Sequence, residues 1–322
     1  MSATDIDYSQ SIATLLRTET AVAHEEAEHS QGAGWLTRGE LDREEYIRFV
    51  MMLYHVYETL EQGLDQHAAH PVLAPTYNPT LFARTQSLSA DIAYLLDTPE
   101  SSWRSHPLHI ELISNPPQSF VDYTARLTYL IDHEPAALLA HAYVRYLGDL
   151  SGGQFIKRRV AKAYGLEDGA GLSFYDFKQL GGTASGTIGD MKKIKEWYRE
   201  GMNKGAGDDV ALKRLILDEA QVAFQLNTGL FTTLRAPKGA QLTGPTPAAL
   251  GDPVTPTESS GTWSPAPADV PAKSESGGFA FGSVAAFLLA IAISQLVMVL
   301  GGFSGVKAFE AVMHRLTSAF SA

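Results

Sequence analysis

Three glycines inside a helical pattern are the first residues in this chain whose placement asks for a chemical reason. The stretch from Pro135 to Gly165, PAALLAHAYVRYLGDLSGGQFIKRRVAKAYG, carries apolar and aromatic residues at helical spacing: Leu138, Leu139, Ala142, Tyr143, Tyr146, Leu147 and Leu150. Gly148, Gly152 and Gly153 interrupt it, each costing about 1 kcal/mol relative to Ala in a helix interior. Gly148 and Gly152 are four apart and share a face. A face without side chains admits something large and flat against the backbone, or lets another helix pack closely. The residues alone leave both readings open.

Two further sets could bind something. Ser11 to His29 reads as a helix with Ile12, Leu16, Ala23 and Ala27 on its apolar face. Along one edge run Arg17, His24 and Glu28, within about 40° of one another at helical geometry. A cation, an imidazole and a carboxylate in line could form a ligand edge. Glu28, one turn from His24, is placed to orient the ring as carboxylates behind ligating histidines do. An ordinary histidine at the boundary of a core fits the same pattern. In a later helix beginning near Asp190, DMKKIKEWYREGMN, Lys192, Lys195 and Arg199 recur at spacings of three and four. Such a basic face is commonly just solvated.

Regular elements must hold these residues in place, and those readable here are helices. Pro135 suits a first helical turn and Gly165 a stop, with Lys157, Arg158, Arg159 and Lys162 toward the negative end of the dipole. Leu41 to Ala68 reads as a long helix entered through Asp42, with Glu45 at capping-box spacing. Its stripe of Tyr46, Phe49, Val50, Leu53, Tyr54, Tyr57, Leu60 and Leu64 is core-like, with His55 at the surface or otherwise satisfied. Pro71, Pro75 and Pro79 mark a loop. Leu81–Leu96 and Gln118–Asp132 read as helices joined by a Pro-containing connection, Gly165–Gly189 as irregular chain, and Asp208–Leu234 as a final core helix. No stretch alternates as a strand would. The expected fold is all-α, a single helical domain over residues 1–235.

The chain has 322 residues, 45% of them hydrophobic and 19% charged, and a formal net charge of −11. That charge argues against nucleic acid as the main partner. With no cysteine, disulfides, thiolate metal sites and cysteine nucleophiles are excluded. The N-terminus lacks the pattern of a secretory signal. Residues 236–278 are rich in Pro, Gly, Ser and Thr and read as a linker. Phe279 to Phe303 runs 25 residues without a charge, long enough for a bilayer of about 30 Å. A buried core helix is the competing reading. Domain, tether and late apolar segment together describe a C-terminal membrane anchor, followed by a short tail over 304–322.

Leu150 to Gln154, LSGGQ, coincides with the signature of ABC-type ATPases. That reading fails inside the sequence, because no Gly-Lys dipeptide exists to build the phosphate-cradling loop. The longer run YVRYLGDLSGGQ resembles the distal-helix signature of the haem oxygenase family. LRTETAVAHEEAE resembles that family's first helix, and LYHVYETLE with PVLAP its second helix and loop. KIKEWYREGMN and AFQLNTGLF resemble its last two helices. The resemblance spans roughly residues 8–235.

The resemblance implies haem sandwiched between the first helix and the glycine-bearing one, with His24 as the axial iron ligand and Glu28 behind it. It implies that Gly148, Gly152 and Gly153 keep the oxygen side open. Asp149 would be the carboxylate that orders proton delivery, with Tyr57, Arg145 and Asn227 in its polar network. Tyr143, Phe224 and Phe231 would stand at the pocket wall or in neighbouring core, and Arg17, Lys195 and Arg199 would hold the propionates. Position 17 commonly holds Lys in the family. The implied reaction is cleavage of haem by O2 to biliverdin, CO and ferrous iron, with electrons from a membrane-bound NADPH-dependent cytochrome reductase. A biliverdin reductase is a further implied partner. Anchored by its C-terminus, the domain would face the cytosol, at the endoplasmic reticulum or the mitochondrial outer membrane. The exposed Lys157, Arg158, Arg159 and Lys162 would serve as the reductase footprint. The competing readings are a haem sensor or carrier on the same fold, and a thiamin-related hydrolase of the same helical superfamily. The hydrolases rely on a cysteine or acidic residues that this chain lacks at the matching places.

Overall fold

The computed structural model describes residues 6–166 and 169–238. In chain order the helices are α1 (Ile12–Glu19), α2 (Ala21–Glu28), α3 (Gln31–Arg38), α4 (Arg43–Gln66), α5 (Pro79–Phe82) and α6 (Thr85–Leu95). They continue with α7 (Pro107–Ser114), α8 (Gln118–His133), α9 (Leu138–Tyr164), α10 (Ile188–Ala206) and α11 (Val210–Thr232). Among the described residues the sole β feature is an isolated antiparallel bridge between Lys178 and Ser185, so the fold is all-α as expected. None of these helices is long and apolar enough to cross a membrane. The linker from residue 239, the apolar stretch 279–303 and the tail 304–322 lie outside the described residues.

α4 is the spine. Its Tyr46, Phe49, Val50, Leu53, Tyr57 and Leu60 are all buried, and it packs against α6, α8 and α9. α11 packs against α9, α2 and α8. Truncating one such fully buried leucine to alanine costs about 2–5 kcal/mol, because the cavity left behind collapses only in part. Close approach of backbones is bought with glycine: a Cβ on Gly32 would lie 2.0 Å from the Phe231 carbonyl oxygen, and one on Gly205 2.3 Å from that of Val72.

Local chemistry sets the ends. Thr187 and Asp190 form a reciprocal capping box that starts α10. Asp209 accepts from the Ala211 and Leu212 amides at the start of α11. Gly165, at φ 63°, ends α9 in the left-handed conformation.

Five expectations need correction, among them the helix expected over Leu81–Leu96, which is interrupted at Ala83 and Arg84 between α5 and α6. The helix expected over 11–29 is broken at Thr20 into α1 and α2. Asp42 precedes α4 but its side chain caps nothing; Glu45 instead holds Arg48 at 2.6 and 2.9 Å and the Arg235 amide at 2.9 Å. That buried ion pair outcompetes a capping bond. The segment from Pro135 begins as a 3-10 turn, Pro135–Ala137, before α9. α3 and α7 lie where helices were not expected.

Three histidines outside the expected set are tightly held. His55 and His109 meet Nε2 to Nε2 at 3.0 Å, and His109 Nδ1 lies 2.8 Å from the Arg104 carbonyl oxygen. His141, fully buried, lies 2.9 Å from Glu219 through Nε2. Burial lowers the pKa of both His55 and His141, and His109 lowers that of His55 further. A lowered histidine pKa means the fold favours the neutral ring while the unfolded chain takes up the proton. Stability is therefore complete above the unfolded value of about 6.5 and is lost as pH falls from there toward the folded pKa. We expect the thermal midpoint to drop between pH 7 and 5, and the drop to be smaller in His55→Gln. Equal drops in the two proteins, followed by circular dichroism, would exclude this role for His55.

Candidate functional site

α2 and α9 both pack on α11 but hardly on each other, and this leaves a cleft floored by α11. A small apolar cluster separate from the main core lines its base: Ala27 of α2, Val144 of α9, and Ala223 and Phe224 of α11, with Ala23 and Tyr143 against it.

On the α2 side stands His24, its side chain 55% exposed. Its ring meets Phe224 edge-on with centroids 5.8 Å apart, and Nδ1 faces Glu28 Oε2 at 3.7 Å. The sequence pairing of His24 with Glu28 therefore holds. Their alignment with Arg17 does not come from one continuous helix, because Thr20 intervenes.

On the α9 side the two readings of the glycines separate. A Cβ built on Gly148 or on Gly152 would meet nothing within 4 Å, whereas one on Gly153 would lie 3.3 Å from Tyr175 Cδ1. Gly148 and Gly152 are bare toward open space. Gly153, expected with them, instead faces Tyr175 and serves packing. A single residue rotates the direction by about 100°, which is why adjacent glycines do different work.

Beside Gly148 lies a chain of polar contacts from three helices. Arg145 Nε donates to Tyr57 Oη at 3.1 Å, and the Tyr57 hydroxyl donates to Asp149 Oδ2. Arg145 Nη1 donates to Asn227 Oδ1, and its Nη2 lies 4.0 Å from Asp149 Oδ1. All four expected residues thus form one network. Burial pushes the Tyr57 hydroxyl well above its ordinary pKa, which keeps it a donor. Burial also raises the Asp149 pKa, against the pull of Arg145, the Tyr57 hydrogen bond and Arg84. Asp149 keeps 12% of its side chain exposed, so it ends the network at solvent.

The rim is basic. Burial and then Arg199 lower the Lys195 pKa, and Arg199 and Arg17 both act on the Tyr143 hydroxyl. Among the described ion pairs none includes Arg17, Lys195 or Arg199, so this cluster is suited to an anionic ligand. Lys195 Nζ lies 3.5 Å from Ser151 Oγ. Phe231 tilts against Phe49 at 5.7 Å and belongs to the core side.

Sequence reasoning missed Arg84, which is buried and donates to the carbonyls of Phe82, Leu81, Phe174 and Asp176. It also missed Tyr123, whose buried hydroxyl has no partner and is pushed up to about 12 by burial. Neither carries a motif. Only the pairing of helices reveals them.

A half-exposed imidazole on one wall, an open glycine face with a carboxylate beside it on the other, and cations without an ion-pair partner at the rim fit a planar, metal-bearing dianion. A family profile described as heme oxygenase matches residues 10–233. The chain is 33% identical over 226 residues to heme oxygenase 1 of Nostoc sp., covering 70% of this chain and 87% of that protein. It is 34% identical over 229 residues to heme oxygenase 1 of Gallus gallus, covering 70% and 71%. The solved heme oxygenase-2 of Synechocystis in complex with heme and NO aligns at TM-score 0.61 and 32% identity, over 70% of this chain and 85% of that one.

The open faces predict an inversion of the usual glycine rule. Gly148→Ala and Gly152→Ala should each stabilise the ligand-free chain by up to about 1 kcal/mol through helix propensity, while Gly32→Ala destabilises it. Urea titrations check this, and a loss of stability in both α9 variants would show that the face is not open.

Proposed function

The chain belongs to the haem oxygenase family and is an oxidoreductase that binds haem and degrades it to biliverdin; from that premise we propose that His24 and the bare face of α9 are the two walls of its haem site. The observation that carries this is the pairing of an exposed His24 with the empty space over Gly148 and Gly152 across one cleft.

Bound there, haem supplies both the iron that engages O2 and the ring that is cleaved. The chain supplies the rest. With Nδ1 turned toward Glu28 at 3.7 Å, His24 has Nε2 free for the iron. Arg17, Lys195 and Arg199 would hold the propionates and so set the rotation at which haem binds. Arg17 presents a planar fork where a lysine would present a point charge. Gly148 and Gly152 leave room on the oxygen side, and among the described residues no imidazole lies within 4 Å of a Cβ built on either to drive a different course of O2 chemistry. Asp149 holds the last acceptor of a chain whose donors are fixed behind it by Tyr57, Arg145 and Asn227. It orders water and passes protons to that side of the cleft. Phe224 and Tyr143 line the wall.

Electrons come from an NADPH-dependent membrane-bound reductase on this reading, and a biliverdin reductase takes the product. Lys157 is engaged with Asp176 and Arg159 lies over Phe155, so the freest charges of that stretch are Arg158 and Lys162, both exposed. The uncharged run 279–303 supports a membrane anchor, with the domain facing the cytosol and the endoplasmic reticulum as the site.

Single turnover tests the proposal. With haem, a reductase system and O2, the wild type should lose its Soret band and yield biliverdin. His24→Ala should keep some haem but lose the histidine-ligated ferric spin-resonance spectrum. Asp149→Ala should lower the biliverdin yield at least about tenfold, the scale of lost proton delivery. An unaltered spectrum in the first variant, or a wild-type yield in the second, overturns the assignment of that residue. For the footprint, neutralising Arg158, Arg159 and Lys162 together should raise the apparent KM for reductase several-fold at low salt. Unchanged kinetics there would remove it.

A further inference from the structure

His24 is held by remarkably little of its own helix. α2 has eight residues, no side-chain cap at its start, no acidic residue in its first turn and no basic one in its last. Two isolated turns are far too short to be stable alone, so α2 takes its orientation from what it leans on. The helical ladder from α1 ends with the Thr20 amide on the Leu16 carbonyl at 3.3 Å, joined there by the Thr20 hydroxyl at 2.5 Å. It resumes with the His24 amide on the Thr20 carbonyl at 2.9 Å. The Glu19 carbonyl falls in the gap between the two ladders. Gln221 of α11 takes it, donating from Nε2 at 2.6 Å across 202 residues of sequence.

Gln221 and Phe224 are three residues apart and so neighbours on one face of α11. One grips Glu19, the last residue of α1 and two before α2 begins, and the other receives the edge of the His24 ring at 5.8 Å. Added to the packing of Ala23 and Ala27 against Ala223 and Phe224, the polar contact of Gln221 fixes a tilt that apolar contact alone would leave freer to rock. Glu28, at 3.7 Å and half exposed, is too loose a contact to do so.

We propose that Gln221 is a positioning residue for His24: its hydrogen bond to the Glu19 carbonyl sets the angle at which α2 presents the imidazole to the cleft. The proposal rests on His24 being the haem ligand. It acts through backbone geometry, so the donor matters and not the amide as such.

Three variants test it. Gln221→Leu removes the donor with little change of size, Gln221→Glu sets a carboxylate against the carbonyl, and Gln221→Lys restores an N–H donor on a longer stem. In the ligand-free chain, amide hydrogen exchange over Ala21–Glu28 should quicken in the first two and stay as in wild type in the third, with α11 unchanged in all. In the ferric haem complexes, transfer of haem to apomyoglobin should be about threefold faster for Leu and Glu, the loss expected of one solvent-exposed hydrogen bond. Their spin-resonance spectra should broaden into more than one axial geometry, and Lys should recover both. Wild-type exchange, wild-type haem loss and a single wild-type spectrum in Gln221→Leu overturn the proposal while leaving His24 as ligand. An unchanged spectrum in His24→Ala overturns the ligand assignment and the proposal with it. Global loss of structure in Gln221→Leu, seen as quickened exchange in α11 as well, would also count against a role confined to α2.

Discussion

A buried guanidinium organises this molecule. Arg145 is 7% exposed, and its donors reach Tyr57 on α4, Asn227 on α11 and the neighbourhood of Asp149 on its own helix α9. Moving such a cation out of water costs several kcal/mol unless its hydrogen bonds are met with good geometry. Three long helices must therefore arrive at one point in one register. Tyr57 is held in place in turn, edge-on to Phe174 at 5.6 Å, and the Phe174 amide donates to Asp91 Oδ2 at 2.7 Å. The requirement to satisfy one charge propagates into the packing of α4, α6 and the turn at Ser173–Tyr175.

The same constraint explains why the two walls of the cleft stay in register. Gln221, Phe224 and Asn227 recur every three residues along α11, and they reach Glu19, His24 and Arg145 respectively. One helix thus measures the distance between the His24 wall and the glycine wall. A slip of α11 by one residue would rotate all three contacts away by about 100°. Neither wall needs to touch the other. This is how a slot wide enough for a flat ligand survives in a packed helical domain.

Much of this was legible in the sequence because helical periodicity is a local signal. The long helices, the irregular chain before Thr187 and the stop at Gly165 all follow from residue type and spacing. So did the grouping of Tyr57, Arg145, Asp149 and Asn227, through a run of matching residues rather than through geometry. What could not be read is direction. Gly152 and Gly153 are adjacent and identical in type, yet one faces open space and the other Tyr175. The break at Thr20 was invisible because its hydroxyl bonds back to Leu16, which a threonine in an unbroken helix also does. Lys157 looked like part of a free basic cluster, since its partner Asp176 lies 19 residues on, beyond the helix.

The separation of the cleft's apolar base from the main core has an energetic consequence. Ala23, Ala27, Val144, Ala223 and Phe224 form their own small cluster, mostly of alanines, which bury little area per residue. At roughly 25 cal/mol per Å2 such a cluster contributes far less than the aromatic core around α4. α2 is consequently among the least stably held elements of the domain, in the sense that local opening draws on local contacts. A ligand bound in the cleft adds contacts only to the form in which α2 is closed, and so stabilises it by mass action. The His24 wall is the one whose order depends most on a ligand. The glycine wall is rigid beforehand, anchored by Arg145.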